Sequence, residues 1–292
     1  MTFAARLKKN PLAFRRLTGI TAEKFDGVLS QLEPRYEAWH TQQLNKRKRQ
    51  RKIGGGGHFT LSVEDRFLML LLYYRTYVTH VYLGFLFRID DSTVGRNINP
   101  LQPLLAGIFR IPERRIEMEE DEINALFFDG TEQPTNRPKK KQGTYYSGKK
   151  KRHTLKHQIV VAKKKKKPGR HGKTQKRRLR IAAVSKAFPG KTHDKKMYDE
   201  TRATSPPGVP RKGDTAFLGT IVDIPYKKPK GKELTKRQKR SNRRFSSVRV
   251  IVEHGIGKMK IWRMAAEKYR NKRNMHTVMF KNIAGLHNLM FS

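Results

Sequence analysis

Residues 123–134 read INALFFDGTEQP. A mostly apolar run leads into Asp129, and Gly130 follows it. A short apolar run stopped by a turn-forming residue reads as a buried strand, here one that delivers a carboxylate at its end. The rest of the chain makes that acid stand out. The 292 residues hold 66 Lys and Arg against 24 Asp and Glu, a net charge of +42. Such an excess argues against an ordinary metabolic enzyme and for a polyanionic partner. No acidic residue occurs between Glu132 and Asp194, while residues 137–180 carry 20 Lys or Arg. A stretch of one sign repels itself and is best tolerated beside nucleic acid.

Two more acids stand in comparable settings. Asp214 follows Gly213 and leads into Ala216, Phe217 and Leu218, so residues 214–218 are expected to form a strand. Glu253 lies in RVIVEHGIGKMK, residues 249–260. On a helix, Arg249 and Lys260 fall within about 40° and about 20° of Glu253. Phe245, Val248, Val252, Ile256 and Met259 form an apolar stripe beside them. Against a helix stand the β-branched Val248, Val250, Ile251 and Val252 and the glycines at 255 and 257. The residues alone therefore leave helix and strand open. Asp129, Asp214 and Glu253 together are the hard oxygen donors that Mg²⁺ prefers, and two such ions suit phosphodiester chemistry. Asp194, in PGKTHD, rivals Asp214 for the second position; Asp214 is preferred because it follows a tight glycine and begins an apolar run.

Outward from this core, residues 144–162 and 179–184 read as strands, residues 194–201 as a short helix, and residues 242–263 and 273–291 as helices. Towards the N-terminus, residues 59–118 read as a helix-turn-helix region. Leu83, Leu86 and Ile89 bury its first helix. Asp90 or Asp91 caps the second, which offers Ser92, Thr93 and Arg96 to a DNA major groove. Residues 41–58, basic and then four glycines, read as a linker, and residues 1–40 as a helical segment. Tyr145 and Tyr146 are expected in a half-buried strand, and Trp262 and Phe280 in the core. His153, His157 and His171 are read as parts of a basic loop rather than a zinc cluster, because the chain has no cysteine. The absence of cysteine also excludes disulfides and a thiolate nucleophile. The opening MTFAARLKKNPLAF lacks the apolar core of a signal peptide, and no apolar run is long enough to cross a bilayer.

Five stretches in order carry a resemblance: FFDGTEQP at 127–134, YYSGKKKRHTLKHQ at 145–158, FPGKTHDKKMYDE at 188–200, GDTAFLG at 213–219 and RVIVEHGIGKMK at 249–260. The last has Arg, three residues, Glu, six residues and Lys. The chain resembles DDE transposases of the bacterial insertion-sequence family five, which are similar to Harbinger-type transposases. The resemblance covers roughly residues 60–290 and implies an α/β ribonuclease H-like catalytic domain, a mixed central sheet flanked by helices, over residues 119–292. It implies a catalytic, metal-holding trio of Asp129, Asp214 and Glu253, with Glu253 on a helix. It also implies phosphate contacts from Arg249, Lys260, Lys149, Lys150, His153 and Lys156. The cofactor would be Mg²⁺, with Mn²⁺ as substitute, two per site. The partners would be double-stranded DNA, at transposon ends and target, and a second copy in a homodimer or larger synaptic complex, with no membrane. Such an enzyme works in the bacterial cytoplasm at the nucleoid, or in a eukaryotic nucleus. Ser246 stands where related transposases often carry Tyr, which argues against a stacking or phosphate contact there. The competing readings are an inactive transposase-derived DNA-binding protein and a basic RNA-binding protein.

Overall fold

The computed structural model describes residues 2–46, 60–165 and 179–291, without the side chains of residues 120, 244, 247–249 and 291. The chain divides into two units, Met1–Arg110 with Trp262–Met264, and Ile111–Ile261 with Ala265–Ser292.

The first unit is helical. It contains α1 (Phe3–Lys8), α2 (Pro11–Thr18), α3 (Ala22–Asn45), α4 (Val63–Thr76), α5 (His80–Phe87), α6 (Asp91–Ile98) and α7 (Leu101–Phe109). Side chains of Thr2, Asn10, Thr21, Ser62, Thr79 and Asp90 each accept a backbone N–H at a helix start. Of these, Asp90 is one of the two caps the sequence offers for the second helix of the helix-turn-helix. Helix α4 is the centre of the unit, buried on every face from Asp65 to Tyr74. Helix α3 runs on to Asn45, past the expected linker start at 41, and residues 47–58 of that linker lie outside the described residues. Trp262 is fully buried, and its ring lies 3.0 Å from where a Cβ on Gly19 would stand.

Helices α5 and α6 form the expected helix-turn-helix. Leu83 and Phe87 bury one side of α5, while Leu86 and Ile89 are half-buried. The Ile89 N–H donates to Gly84 O at 2.9 Å. A Cβ on Gly84 would meet Ile89 O at 2.7 Å, so only glycine lets the turn close there. Asp90 caps α6; Val94, Asn97 and Ile98 face inward, Ser92 and Arg96 are exposed, and Thr93 is half-buried.

The second unit is a mixed six-stranded sheet with helices. In chain order come β1 (Ile123–Pro134), α8 (Gln142–Tyr145), β2 (Tyr146–Ser147), β3 (Arg152–Lys164), β4 (Leu179–Val184), β5 (Phe188–Pro189), α9 (Asp194–Thr201), β6 (Arg211–Lys212), α10 (Lys236–Met259) and α11 (His276–Phe291). The path is β2-β3-β1-β6, with β4 and β5 also paired to β3. Strands β1 and β3 run antiparallel, and β6 runs parallel to β1. Phe128 and Val160 pack with Tyr198 of α9 and with Phe217. Residues of the other parity turn to the opposite face. Val161 there meets Gly255 of α10, and His157 meets His276 and Phe280 of α11.

Two elements differ from expectation. Tyr145, expected in a strand, ends helix α8, and Tyr146 in the short β2 is exposed rather than half-buried. Residues 214–218 are not a strand. Asp214 caps a single 3₁₀ turn, Thr215–Phe217, and the strand is β6, two residues earlier. The Gly213 N–H donates to Asp223 O and the Asp223 N–H to Arg211 O, so the chain folds back at once and cannot extend. Phe217 supplies the apolar signal by turning into the core. No helix among the described residues is long and apolar enough to cross a membrane.

Candidate active site

Strand β1 leads out of the core at Asp129, which is half-buried; its Oδ1 accepts the Gly130 N–H at 2.7 Å. Glu253 is exposed on α10, whose start is fixed by a capping box between Thr235 and Gln238 and whose Val252, Ile256 and Met259 are buried. These two elements bring Asp129 and Glu253 to one cavity of about 320 Å³, also lined by Glu132, Lys149, Lys150 and Lys260. Glu132 was not singled out from the sequence. Its signal was its place three residues beyond Asp129 on a strand that continues to Pro134. Its Oε1 accepts the Thr154 hydroxyl at 2.5 Å.

Asp214 does not line that cavity. Strand β6 pairs parallel to β1 through Leu126 with Arg211 and Phe127 with Lys212, and Asp129 and Asp214 each come two residues after the last pair. Asp194 begins α9, and its Oδ1 lies 3.0 Å from where a Cβ on Gly130 would stand. Lys156 Nζ approaches it at 3.6 Å and donates to Thr192 O at 3.0 Å. Asp194 therefore sits against β1 on the side of α9, held by a lysine, and outside the cavity.

The sequence pattern described as "DDE superfamily endonuclease" matches residues 128–168 and 173–288. The chain belongs to the DDE superfamily of endonucleases. The helix-turn-helix pattern of the same superfamily matches residues 59–110, covering α4 to α7. Two relatives extend the comparison. The chain is 28% identical, over 94% of its length and 93% of theirs, to a protein described as "probable transposase for insertion sequence element IS702" from Microchaete diplosiphon. It is 27% identical, over 80% of its length and 82% of the relative's, to a protein assigned as transposase to insertion sequence element IS112 of Streptomyces albus G. No solved structure matches the chain.

In this DDE endonuclease the cavity's electrostatics follow from its mixed lining. Partial desolvation holds the Lys260 ammonium below its ordinary value; Lys150 adds to the lowering, while Asp129 and Glu132 oppose it. The lysine thus stands within the fields of both carboxylates and of a second cation. Among the described residues, no three His, Asp or Glu side chains stand close enough to hold a metal ion between them. The donor chemistry fits a hard divalent cation all the same, since Asp129 and Glu253 present oxygens to one small cavity.

The other expected contacts are spread more widely. Lys149 and Lys150 are exposed at the cavity rim. His153 is half-buried, paired with Tyr146 across β2 and β3 at a ring distance of 5.7 Å. Lys156 is taken up by Thr192 and Asp194. The Arg249 side chain and His171 lie outside the described residues. His157 is a core residue rather than part of a basic loop. It is fully buried, with Nδ1 2.8 Å from Ser185 O and Nε2 2.7 Å from Nδ1 of His276.

Proposed function

We propose that the chain is a DNA transposase, akin to insertion-sequence family five, with a ribonuclease H-like catalytic domain. It would bind the terminal inverted repeats of a mobile element, cut its ends and join the freed 3′-hydroxyl to target DNA. The observation that carries this reading is the meeting of Asp129 from β1 and Glu253 from α10 in one lysine-rimmed cavity.

Asp129, Glu253 and Asp214, which lies two residues beyond β6, the parallel neighbour of β1, would hold two Mg²⁺ ions, with Mn²⁺ as substitute. Bound there, the metal supplies charge stabilisation for in-line displacement at phosphorus. The protein's own part is positioning. Lys149, Lys150 and Lys260 hold the phosphates beside the scissile bond, joined by Arg249, four residues before Glu253 in the sequence. Ser92, Thr93 and Arg96 of α6 read base edges. Two ends must be joined to one target, so a dimer or larger synaptic complex is the working form. The bacterial relatives favour work at the nucleoid.

The test is cleavage of labelled duplex carrying the element's ends with Mg²⁺ or Mn²⁺. Asp129→Ala, Asp214→Ala and Glu253→Ala should each abolish cutting and leave binding intact. Asp194→Ala should cut. Loss in Asp194→Ala with retention in Asp214→Ala would transfer the second position to Asp194. Binding without cutting by the wild type would favour an inactive DNA-binding protein, and preference for RNA would favour an RNA-binding one.

A further inference from the structure

The turn after Asp214 holds two large apolar side chains out in water. Leu218 is 55% exposed and Ile221 is 70% exposed. Looseness does not account for this. Phe217 and Val222, beside them, are buried, and the Phe217 ring meets Phe128 at 6.4 Å and Tyr198 at 5.9 Å. Between these anchors the backbone is tied. Phe217 N–H donates to Asp214 O and Leu218 N–H to Thr215 O; both the N–H and the hydroxyl of Thr220 donate to Phe217 O; Val222 N–H donates to the Thr220 hydroxyl. The aliphatic pair is thus presented rather than merely uncovered. It is presented four residues beyond Asp214, the expected second acid, in a turn whose Phe217 packs on Phe128 of β1.

A cation accompanies the pair. Gly219 has φ +79°, and a Cβ there would lie 3.3 Å from Lys195 Nζ. The ammonium therefore stands over the turn at Gly219. Downstream, Lys227, Lys228, Lys230 and Lys232 follow within a dozen residues. An apolar point flanked by ammonium groups suits a polyanion with an apolar interior, which is the makeup of duplex DNA. Proteins that deform DNA insert Leu, Ile or Phe between base pairs while cations hold the backbone.

We propose that the 214–222 turn is a DNA wedge: Leu218 and Ile221 enter the base stack at the step beside the phosphodiester to be cut, and Lys195 holds an adjoining phosphate. Naming that step rests on the transposase reading; the wedge itself does not.

Duplexes selected for binding from a random library, and then carrying 2-aminopurine at successive positions, test both. Fluorescence is read on binding without metal, and cutting is read after Mg²⁺ or Mn²⁺ is added. Wild type should brighten the probe at one step. Leu218→Ala/Ile221→Ala trims two side chains that are mostly exposed and should fold and bind but lose that signal. It should cut the intact duplex roughly tenfold to a hundredfold more slowly, the cost of unstacking a step without the wedge. Cutting should recover on a duplex mismatched at that step, where the base is already unstacked. Lys195→Gln should flatten the salt dependence of binding by about 0.9 log units per log unit of salt. A wild type that brightens no position, or a double variant with unchanged signal and cutting, overturns the wedge. So does a cutting defect equal on intact and mismatched DNA, which is what loss of a protein contact would give. If wild type cuts nothing, the transposase reading fails, and the fluorescence still decides the wedge.

Discussion

At Asp214 one side chain serves two purposes that substitution can separate. Its Oδ1 accepts the Ala216 N–H at 2.9 Å and so closes the turn, while the carboxylate charge is what catalysis would need. Asp214→Ala removes both and should cost about 1 kcal/mol of stability, the ordinary worth of such a cap. Asp214→Asn keeps an accepting oxygen and loses the charge. We expect it to unfold in urea at the wild-type midpoint and to be dead in cleavage; an active, stable Asn variant would take Asp214 out of the metal set. The buried histidines give a second residue-scale prediction. Burial pushes His157 from 6.5 down to about 4 and His287 likewise down to about 4, and it pushes His276 well below its ordinary value. For His157, hydrogen bonds to the Ser185 and Lys186 backbone and the charge of Glu113 oppose the shift, while Lys281 adds to it. The unfolded rings take up protons near pH 6.5 and the folded ones only far lower. The stability they contribute is therefore full above pH 6.5 and is lost as pH falls through the window down to about 4. Urea midpoints should hold between pH 8 and about 7 and drop steeply by about pH 5; a flat profile would mean that these rings keep their protons in the fold.

Among the elements, α10 shows how packing overrides propensity. Its β-branched residues and glycines spoke for a strand or a weak helix, yet Lys236–Met259 is one helix of 24 residues. The reason is on its inner face. A Cβ on Gly255 would approach Val161 at 3.1 Å, so glycine lets the helix lie close on β3 and brings Glu253 to the cavity. Gly257 has nothing within 4 Å of where its Cβ would be. Gly257→Ala should therefore stabilise the protein by about 0.5–1 kcal/mol through propensity alone. Gly255→Ala should gain nothing in stability, because the contact offsets the propensity, and should cut more slowly as Glu253 is displaced. Thermal melting of the two variants side by side decides this. The same logic explains what the sequence could and could not reveal. Helix α9 was legible from residue 194 to 201 and the helix-turn-helix was legible from its caps, because both signals are local. Strand β6 was invisible, since Arg211 and Lys212 carry no apolar pattern and are a strand only because β1 offers them an edge. Phe217 misled for the converse reason: its apolar signal belongs to a turn. Glu132 and the seat of Asp194 against Gly130 depend on residues brought together from distant parts of the chain, which spacing does not encode.

For the molecule as a whole, the charge of +42 is a statement about how it meets its substrate. The described salt bridges engage few of the 66 basic residues, and those at the cavity rim, Lys149, Lys150 and Lys260, are exposed. Exposed cations gain little from pairing with one another's few acids and much from phosphates, whose condensed counterions they release. Affinity for DNA should therefore fall steeply with salt, by about 10³–10⁵ between about 50 and 200 mM if 6–10 phosphates are neutralised. Substitutions in the two units should alter that behaviour differently. Lys260→Gln removes a phosphate contact, so it should weaken selected and random duplexes alike and reduce the salt slope by about 0.9. Arg96→Ala on α6 removes a base contact. It should cost about 1–3 kcal/mol on the selected sequence, little on random duplex, and leave the slope nearly as it was. Fluorescence anisotropy titrations of both variants, on both duplexes and across salt, give four slopes and four affinities. If Arg96→Ala weakens the random duplex as much as the selected one, α6 grips the backbone, and sequence is read elsewhere in the chain.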